Sequence, residues 1–385
     1  MYTFDAKRAY EHVKTLCYPR RAGTRHERRA ARYIRREFAA LGLEGKREPF
    51  RVSHFATEIG SRGVFALCGL LVLLGALLAT RWPLVSACCW GLAGLFVNSP
   101  WRLEGLLPSH WPPWSRSENV LATPPEQADH SPARVVFMAH YDTKSQLLPT
   151  GCRVFLVCLT VALCGALVLL GLAAAAGRPA PSHTAISWAV SAVVLVSLAG
   201  LVANVTGNRS CGAVDNGSAV GTLLELARCW QPRSEMPVEV VWVATGSEEV
   251  ALDGARHFLR LHASWWQEKP TLLINLESVG TGSRVYLSGE RHSLELARQI
   301  ATQLGLRHAR LRVLGAGMDH EPFAALGLAS VSILGDVVRT SFALHSTRDN
   351  LNLIEHPALD RAGRLAACLA WRWAEMHQPG PVCRA

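Results

Sequence analysis

At 385 residues the chain could hold two domains, but two long apolar blocks interrupt it and the remainder suits one globular domain of roughly 300 residues. Hydrophobic residues make up 49% of the sequence against 18% charged, and the charge is confined to the parts outside those blocks, which places the excess apolarity in a bilayer. The formal charge of +10 argues for anionic lipid headgroups and against nucleic acid, because the basic residues border apolar spans and no interleaved aromatics accompany them.

The opening MYTFDAKRAYEHVK has charges where a secretory signal needs an apolar core, so no cleavable signal is expected. Residues 24–42 predict an amphipathic helix: Thr24 and Glu27 form a capping box, and Ala30, Tyr33, Ile34, Phe38 and Leu41 recur at helical spacing. Its arginine-rich face is a solvated surface and a candidate for headgroup contact. An extended segment, KREPFRV, follows.

Gly63–Thr80 and Pro83–Val97 read as a first transmembrane hairpin, residues 63–97, of two short spans. Val154–Ala176 and Thr184–Val205 reach the roughly 20 residues that a bilayer requires and read as a second, residues 154–205. Buried core helices are the alternative for each pair. The soluble segments 1–62, 98–153 and 206–385 then form one domain. Four spans return all three segments to one side, where Arg62, Lys144, Arg153 and Arg209 flank the helices, while the opposite turns carry only Arg81 and Arg178. That asymmetry predicts a multi-pass integral membrane protein with its soluble domain in the cytoplasm.

The 11 cysteines are odd in number and lack paired spacing, and several lie in the spans, so they read as reduced, small hydrophobes. Glycosylation triplets at Asn204, Asn208 and Asn216 crowd a span end and a tight turn and read as coincidental.

Strand-like runs ARVVFMA, EVVWVAT, TLLINL and ASVSIL alternate with helical patterns at Ser218–Trp230, Leu252–Trp265, His292–Leu304 and Pro357–Met376. Such alternation predicts an α/β fold, a three-layer sandwich around a mixed, largely parallel sheet with the two hairpins inserted. Functional residues gather at the carboxyl ends of parallel strands, where His140, Glu248 and Glu277 fall.

The residues in those places suit a divalent metal site. Asp142, two positions after His140, can accept the imidazole's other N–H and fix its orientation. Asp215, in GAVDNGSA, offers a short carboxylate able to bridge two ions, or simply an acid at a helix start. Glu248 and Glu249 are adjacent carboxylates that repel unless a cation or proton intervenes, so one can bind metal while the other acts as a base. Glu277 ends a strand, and His345 lies in the polar loop LHSTRDN. Three ligand carboxylates, Asp215, Glu249 and Glu277, balance two divalent cations with one hydroxide; a single zinc leaves the site anionic. Mixed nitrogen and oxygen donors fit zinc.

The ordered set HYD, GAVDNGSA, GSEEVALDG, NLES, MDHEPFAALGL and HSTRDN resembles the M28 family of zinc aminopeptidases, from about Thr24 onward. The resemblance implies a metallopeptidase with a pair of zinc ions, one held by His140 and Glu277, the other by Glu249 and His345, with Asp215 bridging. It makes Glu248 the general base and a peptide with a free N-terminus the substrate. Two features depart from the family. Glu277 stands where Asp is usual, and the hairpins are additions to the soluble fold. HYDTK is also similar to the HYDSK of glutaminyl cyclases, which share the fold with a single zinc, although GAVDNGSAVG is closer to the peptidases.

Asp319 and His320 match a pocket segment of the family or begin a helix, and Asp349 either supports His345 or caps a turn. An inactive membrane scaffold on a peptidase fold is the non-enzymatic alternative, though no ligand position has become apolar. A transporter is disfavoured because the spans contain no ionisable residue.

Overall fold

Strand β3 (Ala133–His140) is buried at every position, as a strand covered on both faces must be. Its side chains alternate between two layers: Val135, Phe137 and Ala139 enter one apolar cluster, Val136 and Met138 another. In the computed structural model, which describes residues 3–99, 111–125, 131–178, 182–230, 238–311 and 317–378, this strand lies within an eight-stranded mixed sheet.

The other strands are β1 (Glu44–Ser53), β2 (Trp114–Thr123), β6 (Val238–Thr245), β7 (Thr271–Glu277), β8 (Val285–Gly289), β9 (His308–Arg310) and β10 (Ser330–Leu334), with a separate two-residue pair, β4 (Ser145–Gln146) and β5 (Thr206–Gly207). The sheet order is β1-β2-β6-β3-β7-β10-β8-β9, and the central four strands run parallel. Antiparallel pairing attaches β1 and β2 on one side and β8 on the other.

Helices cover both faces. On one lie α1 (Ala6–Leu16), α2 (Arg25–Ala40), α7 (Ser218–Cys229), α9 (Arg291–Gln303) and α10 (His356–Met376). On the other lie α8 (Asp253–His262), whose Phe258 is fully buried, and the turn bearing Phe323. The expected three-layer sandwich is therefore present, and the four strands and five helices read from sequence fall within a few residues of their places. In α2 the capping box is rearranged: Thr24 Oγ1 accepts from the Glu27 N–H, but the Glu27 carboxylate turns inward to the N–H of Gly23 and the hydroxyl of Ser117.

The inserted helices are α3 (Ser61–Leu78), continuous with a wider π-type turn at Phe55–Gly60, α4 (Pro83–Phe96), α5 (Thr150–Ala175) and α6 (His183–Val202). They pack as a four-helix ring through Phe65, Val72, Trp90, Leu167, Val194 and Leu198. Leu70, Leu95, Leu169 and Val196 on their outward faces are exposed, the reverse of a soluble core. Phe55–Leu78, α5 and α6 are long and apolar enough to cross a membrane. Three of the four expected spans thus meet that length, while α4, with 14 residues, rises about 21 Å against a hydrocarbon core of about 30 Å.

One expectation about cysteine is corrected. Cys68, Cys88, Cys89, Cys158 and Cys164 are free thiols, but Cys17 and Cys211, 194 positions apart, form a disulfide that ties the end of α1 to the turn before α7.

Candidate metal centre

The parallel centre of the sheet sets the site. His140 is the last residue of β3 and lies in register with Thr245, the last of β6. Three residues beyond Thr245 the chain delivers Glu248 and Glu249, with Ser247 in the left-handed region (φ 60°). Glu277 closes β7 beside them. Asp215 comes from the turn preceding α7, where Gly212 (φ +56°) is required because a Cβ there would collide with Thr143 and the Asp215 carbonyl. The Asp215–Asn216 peptide is cis. His345, also left-handed (φ 62°), comes from the loop after a single helical turn, Val337–Thr340. Left-handed non-glycine residues of this kind cluster at functional sites.

These side chains form two triads that share one carboxylate. His140 Nε2 lies 3.3 Å from Asp215 Oδ1 and 3.3 Å from Glu277 Oε1. His345 Nε2 lies 3.1 Å from Asp215 Oδ2 and 3.1 Å from Glu249 Oε1. Within each triad one donor atom per residue lies within 4.8 Å of the others, and all five residues are buried. Glu248 Oε2 stands 3.7 Å from His140 Nε2, beside the triads and outside both.

A supporting layer holds the loops. Asp142 faces His140 Nδ1 at 3.5 Å, and its two oxygens accept the backbone N–H groups of Glu248 at 2.9 Å and Glu249 at 3.2 Å, thereby fixing three site residues. Asp349 does not reach behind His345; it accepts the N–H groups of Val214 (2.7 Å) and Asp215 (3.2 Å) and pins the bridging turn. Asp319 accepts from Thr245 Oγ1 at 2.5 Å, and His320 Nδ1 meets Ser332 Oγ at 2.7 Å behind the site.

Sequence reasoning missed four contributors. Asn216 spans to β7, donating to the Leu276 carbonyl and accepting from Ser278 N–H; its place beside Asp215 was the available signal. Lys144 pairs with Glu249 Oε2 at 2.8 Å. Thr150 Oγ1 and Arg153 Nη2, in the first turn of α5, lie 3.0 and 3.1 Å from His345 Nδ1. No local pattern announces that contact, because a threonine opening an apolar span reads as a helix start.

The buried acids and imidazoles shift one another strongly. Burial and the charges of Glu249, Glu277 and Asp319 raise Glu248 well above the carboxylate range, against the pull of His140. Burial also raises Glu277, and brings Asp319 to about 7. Burial opposes a charge on His140, yet Glu248 and Glu277 outweigh it and hold the imidazole well above its usual value. Asp215 and Glu249 move the other way: burial is overcome by His140 and His345 at Asp215, and by His345 and Lys144 at Glu249, which falls to about 2. Acids pushed in opposite directions around two imidazoles form a site built for positive charge. Glu277 Oε2 is buried with no hydrogen-bond partner among the described residues, as a ligand oxygen awaiting a cation would be. The imidazole and carboxylate donors fit zinc.

Known proteins place this arrangement. The zinc aminopeptidase of Bacillus subtilis superposes with a TM-score of 0.59 at 17% identity, over 97% of this chain and 96% of its own. The aminopeptidase of Aneurinibacillus sp. strain AM-1 gives 0.58 at 14% identity over 98% and 95%, and the glutaminyl cyclase of Porphyromonas gingivalis gives 0.55 at 16% over 96% and 98%. At such identities the likeness is one of fold. No curated protein sequence matches the chain significantly. The model of peptidase family M28 matches residues 119–370, well over half of the sequence, from within β2 into α10, and the chain belongs to that family.

Proposed function

We propose that the protein is a membrane-bound, zinc-dependent exopeptidase that removes N-terminal residues from peptides. The observation that carries this reading is the pair of buried triads sharing Asp215, with a spare carboxylate, Glu248, beside them. His140 and Glu277 would hold one ion, Glu249 and His345 the other, and Asp215 both; a single ion would take one triad. Bound there, zinc supplies Lewis acidity to a water molecule and to the scissile carbonyl.

The protein's own groups do the rest. Asp142 holds Glu248 and Glu249 beside the two histidines through their backbone N–H groups. Glu248, 3.7 Å from His140 Nε2 and outside both triads, takes a proton from the attacking water at a carboxylate oxygen and returns it to the departing amine nitrogen. The acidic surplus, with Asp319 behind it, is complementary to a substrate's free α-ammonium. The uncovered apolar faces of α3, α5 and α6 support membrane integration, with residues 63–97 and 154–205 as the inserted hairpins.

The basic residues at the near ends of these helices favour a cytoplasmic catalytic domain. The Cys17–Cys211 bridge favours the opposite face, since disulfides persist in oxidising compartments. Protease protection of a C-terminal tag in sealed vesicles decides between them.

A glutaminyl-cyclase-like acyl transfer is the second reading, supported by the fold shared with the P. gingivalis enzyme. Peptides with free and blocked N-termini, assayed with metal quantification, separate the two. Free amino acid supports the peptidase, pyroglutamate the cyclase, and neither product with no bound metal supports an inactive scaffold.

A further inference from the structure

We infer that the metal centre lies at the level of the lipid headgroups and that its substrates are peptides anchored in or lying on the same bilayer. This rests on the membrane-peptidase reading above and narrows it to a substrate class. The ladder of contacts from the hydrocarbon edge to the site carries the inference. Helix α6 has 20 residues and rises about 30 Å, the thickness of the hydrocarbon core, so its last residue, Val202, marks the edge. Arg62 Nε donates to the Val202 carbonyl at 2.7 Å, which places a fixed cation at the same level.

One step outward, Leu147 N–H donates to the Val205 carbonyl (3.2 Å) and Leu148 N–H to Asn204 Oδ1 (2.8 Å). The next residue, Gln146, donates to the carbonyl of His345 at 2.8 Å. From the other direction, Gly151 N–H in the first turn of α5 donates to the Ser341 carbonyl at 2.7 Å, and Thr150 Oγ1 meets the His345 ring at 3.0 Å. Thr150 precedes the uncharged run that begins at Val154 by four residues, about 6 Å of helix. The headgroup layer on one side of a bilayer is of similar depth, about 5–8 Å. His345 is therefore held in or just above that layer by hydrogen bonds, with no spacer between membrane helix and site.

The surface around this ladder is built accordingly. Val338 and Phe342, on the segment leading to His345, are each 56% exposed, and Leu147 and Val205 are 64% and 55% exposed. Phe342 packs over Gly151, where a Cβ would come within 2.9 Å of its ring, so this part of the soluble domain rests on the membrane helix. Apolar side chains at the rim, beside Arg62, fit anionic lipid with the acyl boundary directly below. A substrate whose N-terminus leaves the bilayer by a few residues reaches such a site; a centre mounted on top of a soluble domain would demand a long tether.

Two measurements on the full-length protein in anionic vesicles test this. A phospholipid carrying a photoreactive group on its headgroup should label Leu147 and the 338–342 segment; labelling confined to the four inserted helices would overturn the inference. Peptides with a free N-terminus and a C-terminal acyl anchor should release their first residue as readily with a three-residue spacer, about 10 Å long, as with a twelve-residue spacer, about 40 Å. Hydrolysis of long-spacer and soluble peptides with the short-spacer peptide spared would overturn the inference while leaving the peptidase reading intact. No release from any peptide would overturn the peptidase reading itself and the substrate class with it, and loss of the protein from vesicles on alkaline extraction would do the same for the membrane reading.

Discussion

Replacing Asp142 with Asn tests how the site is held. The carboxylate is fully buried and accepts two backbone N–H groups, from Glu248 at 2.9 Å and Glu249 at 3.2 Å, while facing His140 Nδ1 at 3.5 Å. Each hydrogen bond to a charged group contributes about 1.5–3 kcal/mol, and a buried donor left unpaired costs about 1–3 kcal/mol. Asn keeps one acceptor and turns an NH2 toward either a backbone N–H or the imidazole, so one bond is lost and one donor orphaned. The sum is about 2.5–6 kcal/mol. Loss of an acceptor behind a ligand histidine lowers metal affinity by about 10–100-fold. Competitive titration against a chromophoric chelator, together with a thermal melt of the detergent-solubilised protein, reads both effects. Asp142→Asn should bind zinc at least tenfold more weakly and melt several degrees lower. Affinity within twofold of the wild type and an unchanged melting temperature would refute the supporting role.

Glu248→Gln should retain the metal complement and lose about 10²–10⁴-fold in turnover, measured as free amino acid released, because the proton acceptor goes while both triads remain. Thr150→Val removes the hydroxyl at His345 Nδ1 and should weaken zinc binding about tenfold without altering the fold seen by circular dichroism. Burial raises Glu27 from 4.5 to about 8, so the native state binds more protons than the unfolded chain between those values. Its contribution is then fully present below about 4.5 and is lost as pH rises toward 8; Glu27→Gln should flatten that dependence in melts from pH 5 to 8, by an amount on the order of a few kcal/mol. The intact mass without reductant should be two hydrogens lighter than with it, from the Cys17–Cys211 bridge.

The central strands were legible because burial on both faces leaves an uninterrupted apolar run, as in β3 and β7, and the charges that end such runs stand out. Strand β2 was not, because its buried centre is polar: Glu118 pairs with Arg47 across the β1 pairing, and Asn119 bridges the Gly246 N–H and the Gly254 carbonyl. Those partners sit far away in sequence, so no periodicity marks the strand. Helix α1 was missed for a related reason. Its charged opening served to exclude a signal peptide, while Ala9, Val13 and Leu16 carry a helical stripe that packs on α7 and α10.

Within the site, the six residues expected to converge do come together, His140 lying within 3.7 Å of Asp215, Glu248 and Glu277 and His345 3.1 Å from Asp215 and Glu249, since strand ends and turns had already restricted where they could point. The contacts from Lys144, Thr150 and Asn216 needed the fold, as did the place of Asp349 under the Asp215 turn, which neither expected role described. The disulfide likewise joins residues that only the tertiary structure brings together.

Anomalous diffraction at the zinc absorption edge from crystals of the purified protein tests the central claim most directly. Peaks within about 2.0–2.2 Å of Asp215 carboxylate oxygens, on its His140 side, its His345 side or both, are the expected result. Ordered density for both imidazoles with no peak at bonding distance from Asp215 would contradict the account.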